Sequence, residues 1–189
     1  AGGQVYWMHM AVTRGGNFPA IKDNVLQKGD IFRVDMGCSI NGYHADVCKS
    51  GCVGAEPTAE HRKRYDAIQA GVLKSVEALK PGVRPQELYE TMIAGVRANG
   101  LPNYSNFFLG HTIGLEAREF PFLIGPAEEV DDPFLPNTTI IPMEPGMTVN
   151  LEASNHEAGW GTVQVEYTCA VTEKGHEHLI QPDQRLFTL

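Results

Sequence analysis

The sequence predicts an α+β fold, read as one domain over residues 1–189. Three observations predict it. Two stretches with apolar residues at helical spacing lie in the middle of the chain. Runs rich in β-branched and aromatic residues occupy both ends. Asn41-Gly42 sits between two alternating polar and apolar runs, the strongest short-range signal for a two-residue hairpin. Strands segregated from helices, rather than alternating with them, point to a mostly antiparallel sheet with flanking helices. The chain is long enough for a substantial core, and its 42% hydrophobic content is ordinary for a globular protein.

Taken in order, residues 4–12 (QVYWMHMAV) read as a strand and Arg14-Gly15-Gly16-Asn17 as a turn. Residues 30–34 enter the hairpin, VDMGCSINGYHAD. With Asn41 and Gly42 as its turn, Ile40 pairs with Tyr43, Cys38 with Ala45, Gly37 with Asp46 and Met36 with Val47. Cross-strand partners share a face. One face is then Met36, Cys38, Ile40, Tyr43, Ala45 and Val47, which reads as core. The other is Asp35, Gly37, Ser39, His44 and Asp46, with the two carboxylates as diagonal neighbours. Residues 57–79 form a helix with Tyr65, Ile68, Val72, Val76 and Leu79 as its buried stripe, ended by Lys80-Pro81-Gly82. A second helix covers residues 85–99, with Leu88, Met92 and Val96 on one face and Gly100 as its stop. Residues 101–109 read as an irregular link. Residues 120–142, rich in proline, read as a loop over a site. Strands follow at residues 147–153, 162–171 and 178–181, the first two joined by a turn over residues 155–161.

A net charge of −8 argues against a nucleic-acid surface. No apolar run approaches the roughly 18 residues of a membrane span. The four cysteines, Cys38, Cys48, Cys52 and Cys169, lack paired CxxC spacing. They read as reduced thiols of a cytoplasmic protein, with a Cys48–Cys52 bridge as the weaker alternative. The chain opens on Ala1, with no basic-apolar leader, and reads as starting inside a longer protein.

Asp35 and Asp46 repel each other unless a cation or a shared proton intervenes. The pair is either a solvated hairpin face or half of a carboxylate metal site. Glu152 and Glu166 repeat the pattern. Each lies in an apolar strand, and their even separation about a turn near Gly159 sets them opposite on one face. Two facing glutamates in a β core need a cation. His111, in Gly110-His111-Thr112-Ile113-Gly114, reads as structural when taken alone. With four carboxylates it completes an oxygen-rich set with one nitrogen. That set suits two divalent ions such as Mn²⁺, Co²⁺, Fe²⁺ or Zn²⁺ better than Mg²⁺ or Ca²⁺.

The order Asp, Asp, His, Glu, Glu, with the texts VDMGCSINGYHAD, GHTIGLE, VNLEAS and VQVEYTCAVTEKGHEHL, resembles the pita-bread metallopeptidase family. That family contains methionine aminopeptidase, prolidase, aminopeptidase P and creatinase. The short gap between the glutamates, and Thr172-Glu173-Lys174-Gly175 after the second, resemble the prolidase and aminopeptidase P branch. The resemblance implies that Asp35 chelates one metal, that His111 and Glu152 hold the other, and that Asp46 and Glu166 bridge them. It implies a metal-bridged hydroxide attacking an amide or peptide carbonyl, with Glu152 as the proton acceptor. It also implies a small peptide or small-molecule substrate, a homodimer, and helices and an N-terminal domain ahead of Gln4.

Two positions depart from the family pattern. Arg118 stands where peptidase members carry a histidine, and residues 17–21 (NFPAI) lack the histidine expected before the first aspartate strand. Arg118 reads either as a group that binds a carboxylate or stabilises an oxyanion, or as a surface salt-bridge arginine. His9 and His44 are possible spatial substitutes, with rim or structural positions as the alternative. Three functions follow: an Xaa-Pro dipeptidase-like hydrolase, a creatinase-like hydrolase or lyase of a small zwitterion on the same scaffold, and a binding module without chemistry.

Overall fold

In the computed structural model, residues 2–12, 25–125, 140–180 and 185–189 are described. The strands are β1 (Gln4–Val12), β2 (Ile31–Ile40), β3 (Tyr43–Cys52), β4 (Phe108–Thr112), β5 (Glu119–Ile124), β6 (Thr148–Glu157), β7 (Gly161–Val171), β8 (His176–His178) and β9 (Phe187–Thr188). The helices α1 (Ala59–Ala78) and α2 (Pro85–Ala98) lie between β3 and β4. The strands form a four-stranded sheet of order β1-β2-β3-β9 and a five-stranded sheet of order β5-β4-β6-β7-β8. Pairings are antiparallel except β3 with β9. The fold is α+β, as the sequence predicts.

The hairpin forms in the expected register, Ile40 opposite Tyr43 and Gly37 opposite Asp46. Its turn holds Asn41 at φ 53° and Gly42 at φ 85°. Positive φ at both residues is the two-residue geometry whose twist matches the flanking strands. The orientation of its faces, however, is the reverse of the expected one. Met36, Ile40 and Tyr43 are exposed (38%, 46% and 66%), while Asp35 and Asp46 are buried. The acid face turns inward because it meets the polar face of β7. Ser50 Oγ donates to Gln164 O (3.1 Å) and accepts from Gln164 N (2.9 Å), stitching the two sheets together there.

The apolar core lies instead between the second sheet and the helices. Val149, Leu151, Val163 and Val165 join Tyr65, Ile68, Val72, Leu88, Met92 and Val96 in one buried cluster. Helix α1 starts two residues later than the sequence predicts, at Ala59 rather than Pro57. Thr58 is its N-cap, with Oγ1 accepting from His61 N (3.2 Å), and Leu79 lies just past its end. Part of the proline-rich stretch is strand rather than loop: β5 takes in residues 120–124 of it. Pro121 is tolerated there because β5 is an edge strand, where a missing N–H costs no ladder bond. Residues 126–139 of that stretch, the expected turn at residues 14–17 and the 17–21 segment lie outside the described residues.

Candidate metal centre

All five predicted ligands come from strands, and each strand presents its ligand for a local reason. Side chains alternate along β2 and β3, so Asp35 and Asp46 share the inward face. On the other sheet Glu152 lies directly opposite Glu166, as the even spacing predicts. His111 reaches the centre through Gly110, whose φ is +148°. A Cβ added there would stand 2.4 Å from Asn150 O, so only glycine lets β4 approach β6 closely enough to pair.

Asp35, Asp46 and Glu166 each offer an oxygen within 4.8 Å of the others. His111 Nε2 stands 3.5 Å from Asp46 Oδ2 and 3.8 Å from Glu152 Oε1. Asp35, Asp46, His111 and Glu166 are all less than a tenth exposed, and the Glu152 side chain is 14% exposed. Trp7 Nε1 donates to Asp35 Oδ1 (3.1 Å). Its ring lies over Gly37, where an added Cβ would stand 2.0 Å from it.

The electrostatics demand a positive charge. Burial lifts the Glu166 carboxyl well above its ordinary range, with Asp46, Glu152 and Asp35 adding to the shift. Burial likewise raises Glu152 to about 7, against the lowering effect of His111, and raises Asp46. Divalent cations would reverse each of these shifts.

Two atoms test whether an ion fits. His111 Nδ1 is 2.9 Å from Thr112 O. A carbonyl only accepts, so Nδ1 carries a proton, and in the neutral ring Nε2 then presents its lone pair to the carboxylates. A lone pair facing anions is repulsive unless a proton or a cation stands between them, and this tautomer is the one a metal-ligating histidine adopts. Asp46 Oδ1 is buried with no hydrogen-bond partner among the described residues. The donor set therefore fits divalent ions.

Beside the cage is a cavity of about 370 Å³ lined by Arg33, Asp35, Asn106, Phe107, Phe108, Arg118, Glu152, Ser154 and Gln164. Arg118 belongs to this site: it is exposed at the cavity, with its guanidinium 5.3 Å from the Phe108 ring centre. His9 faces the interior opposite Asp35. His44 lies on the Asp46 face and packs edge-on against Tyr6 at 4.7 Å. Sequence reasoning missed Arg33 and Gln164. Each precedes a predicted ligand by two residues, and the strand period that placed Asp35 and Glu166 places these neighbours on the same face.

The sequence matches metallopeptidase family M24 over residues 3–173. It is 28% identical over 164 residues to the Xaa-Pro dipeptidase of Pyrococcus furiosus, covering 87% of this chain and 43% of that one. The crystal structure of dipeptidase PepE from Mycobacterium ulcerans superposes with a TM-score of 0.83 at 24% identity, over 97% of this chain and 47% of that one. The X-Pro aminopeptidase structure from Thermotoga maritima gives 0.83 at 21% identity, over 98% and 50%. The chain thus spans about half the length of the curated relatives it matches. With the ligand order, the facing sheets and a match across nearly the whole sequence in agreement, the chain belongs to metallopeptidase family M24 and has its pita-bread fold.

Proposed function

We propose that this chain carries the catalytic centre of a dinuclear metal-dependent hydrolase that cleaves small peptides of the Xaa-Pro type. The observation that carries the reading is that Asp46 joins two groups: it clusters with Asp35 and Glu166, and it stands 3.5 Å from His111 Nε2, which lies 3.8 Å from Glu152. Relatives bear the name Xaa-Pro dipeptidase. Asp35 would hold one ion, His111 and Glu152 the other, and Asp46 and Glu166 both, the ions being Mn²⁺, Co²⁺, Zn²⁺ or Fe²⁺. Bound ions supply polarisation of the scissile carbonyl and a water of lowered pKa.

The chain's own residues do the rest. Glu152 borders the cavity, within reach of a substrate, as suits a group that accepts a proton and passes it to a leaving amine. Arg118, fixed over Phe108, faces the same cavity. Its permanent charge holds a substrate carboxylate or the developing oxyanion, and it transfers no proton at neutral pH. The homodimer and the cytoplasmic location are part of this proposal; all four cysteines are free, as a reducing compartment leaves them.

Arg118 also favours a second reading, a hydrolase or lyase of a small zwitterion, because an arginine replaces an imidazole where a proton would be moved. Incubation with Mn²⁺ or Co²⁺ and a panel of Xaa-Pro peptides decides. Ion-dependent release of the N-terminal residue is expected. Turnover of small zwitterions with every peptide intact moves the assignment to the second reading, and no turnover of either kind rejects both.

A further inference from the structure

We propose that Gln164, pinned by Arg33, is the positioning residue of the cage: its side-chain amide sets the direction in which Glu152 faces the ions. This rests on the metal-dependent reading above. Gln164 is 1% exposed and precedes Glu166 by two residues on β7. Arg33 is 3% exposed and precedes Asp35 by two residues on β2. Each sheet thus sends one non-ligand side chain into the centre beside its ligand, and the two meet. Arg33 Nη1 donates to Gln164 Oε1 and stands 3.8 Å from Asp35 Oδ2. Gln164 Nε2 donates to Glu152 Oε2 at 2.7 Å, with Glu166 Oε2 at 3.3 Å and Asp35 Oδ2 at 3.4 Å.

Only one orientation of this amide works. A flip would aim its oxygen at carboxylates and its NH₂ at a guanidinium, opposing acceptor to acceptor and donor to donor. Arg33 forbids the flip, and the Ser50 bonds fix the backbone beneath it. The amide then engages Glu152 through one oxygen and leaves the other toward His111. Glu152 needs this restraint most. Asp46 and Glu166 are walled in, and Asp35, which borders the cavity, is already held by Trp7 Nε1, whereas Glu152 borders the cavity on a longer and less buried side chain. A flexible three-carbon ligand with space beside it loses alignment unless a partner holds it.

Co²⁺ titration followed by visible absorption tests this, on wild type, Q164M and the double variant R33M/Q164M. Q164M removes the amide at similar volume but also removes the acceptor offered to Arg33. The double variant replaces both partners with apolar groups, a change a fold tolerates better than deleting one. Removing the Arg33 charge by itself tightens cation binding. Weaker binding in the double variant therefore reports lost orientation rather than lost charge. Expected are Co²⁺ affinity at least about tenfold weaker in both variants and an altered d–d band, with the double variant unfolding near the wild-type temperature. Affinity within twofold of wild type and a superimposable spectrum in the double variant would overturn the proposal. A wild type that binds no Co²⁺ overturns the metal-dependent reading itself, and this proposal with it.

Discussion

The two sheets are built on one plan and buried in opposite ways. Each contributes a hairpin whose inner face carries a pair of acids and whose outer face is apolar. On the second sheet the outer face, Val149, Leu151, Val163 and Val165, is buried against α1 and α2. On the first, Val5, Met8, Met36, Ile40 and Tyr43 are exposed at 76%, 61%, 38%, 46% and 66%. The inner faces carry Asp35, Asp46, Asn150, Gln164, Glu166 and Thr168, all buried. Orientation here follows the acids rather than hydrophobicity. Burying so much polar surface is costly unless it is hydrogen-bonded and its charge neutralised. The site thus stores a demand for cations, and the helix-backed sheet stabilises it.

The largest expected effect separates function from stability at the cage. Glu166→Gln keeps shape and removes a carboxyl that burial already pushes far up, so that it can no longer ionise to face a cation. Ion-dependent turnover should fall by roughly 10³-fold, equivalent to about 4 kcal/mol of transition-state stabilisation. The ion-free protein should unfold at a higher temperature than wild type, because a repulsive buried acid is gone. Thermal melts in EDTA and in Mn²⁺ check this. A lower midpoint in EDTA would show that Glu166 supports the ion-free fold instead of straining it.

Next comes the contrast between the sheets themselves. Leu151→Ala empties a fully buried position beneath the helices and should cost about 2–5 kcal/mol. Denaturant titration at fixed ion concentration measures it. A cost below about 1 kcal/mol would mean that the helices do not seal this face as described.

A third prediction concerns pH. Glu152 has its pKa raised from 4.5 to about 7, and Asp46 and Glu166 are also raised, with burial the leading cause in each. A carboxyl with a raised folded pKa stabilises the fold fully below its unfolded value and loses that contribution as pH climbs through the folded value. Without ions the protein should therefore lose stability between about pH 4.5 and pH 7, by up to about 3 kcal/mol from Glu152. Mn²⁺ should flatten or reverse the slope, since it favours the ionised carboxylates. A flat profile in EDTA would show that the acids are already neutralised within the chain.

Much of this was legible in the sequence, for reasons of parity. Asn41-Gly42 fixes the hairpin register, which makes Asp35 and Asp46 diagonal neighbours; the even spacing of Glu152 and Glu166 sets them face to face. Parity does not say which face turns inward, so Met36, Ile40 and Tyr43 read as core when they are surface. Pro121 concealed β5, whose edge position is a property of the whole sheet. Gln164 and Arg33 stayed hidden because an amide and a guanidinium gain their role only from each other, across a long sequence separation.

The smallest expected effect lies on the exposed face of the first sheet and is the most direct check on the contrast. Tyr43→Ser and Met8→Gln remove apolar groups that are already largely in water. Surface substitutions away from caps, cores and ion pairs usually change stability by no more than about 0.5 kcal/mol. Both variants should therefore melt close to wild type and bind Mn²⁺ unchanged, because neither side chain points toward the cage. A loss comparable to that of Leu151→Ala would mean that this face is covered in solution. The two sheets would then be alike in burial as well as in plan, and the asymmetry would belong to the described residues rather than to the working protein.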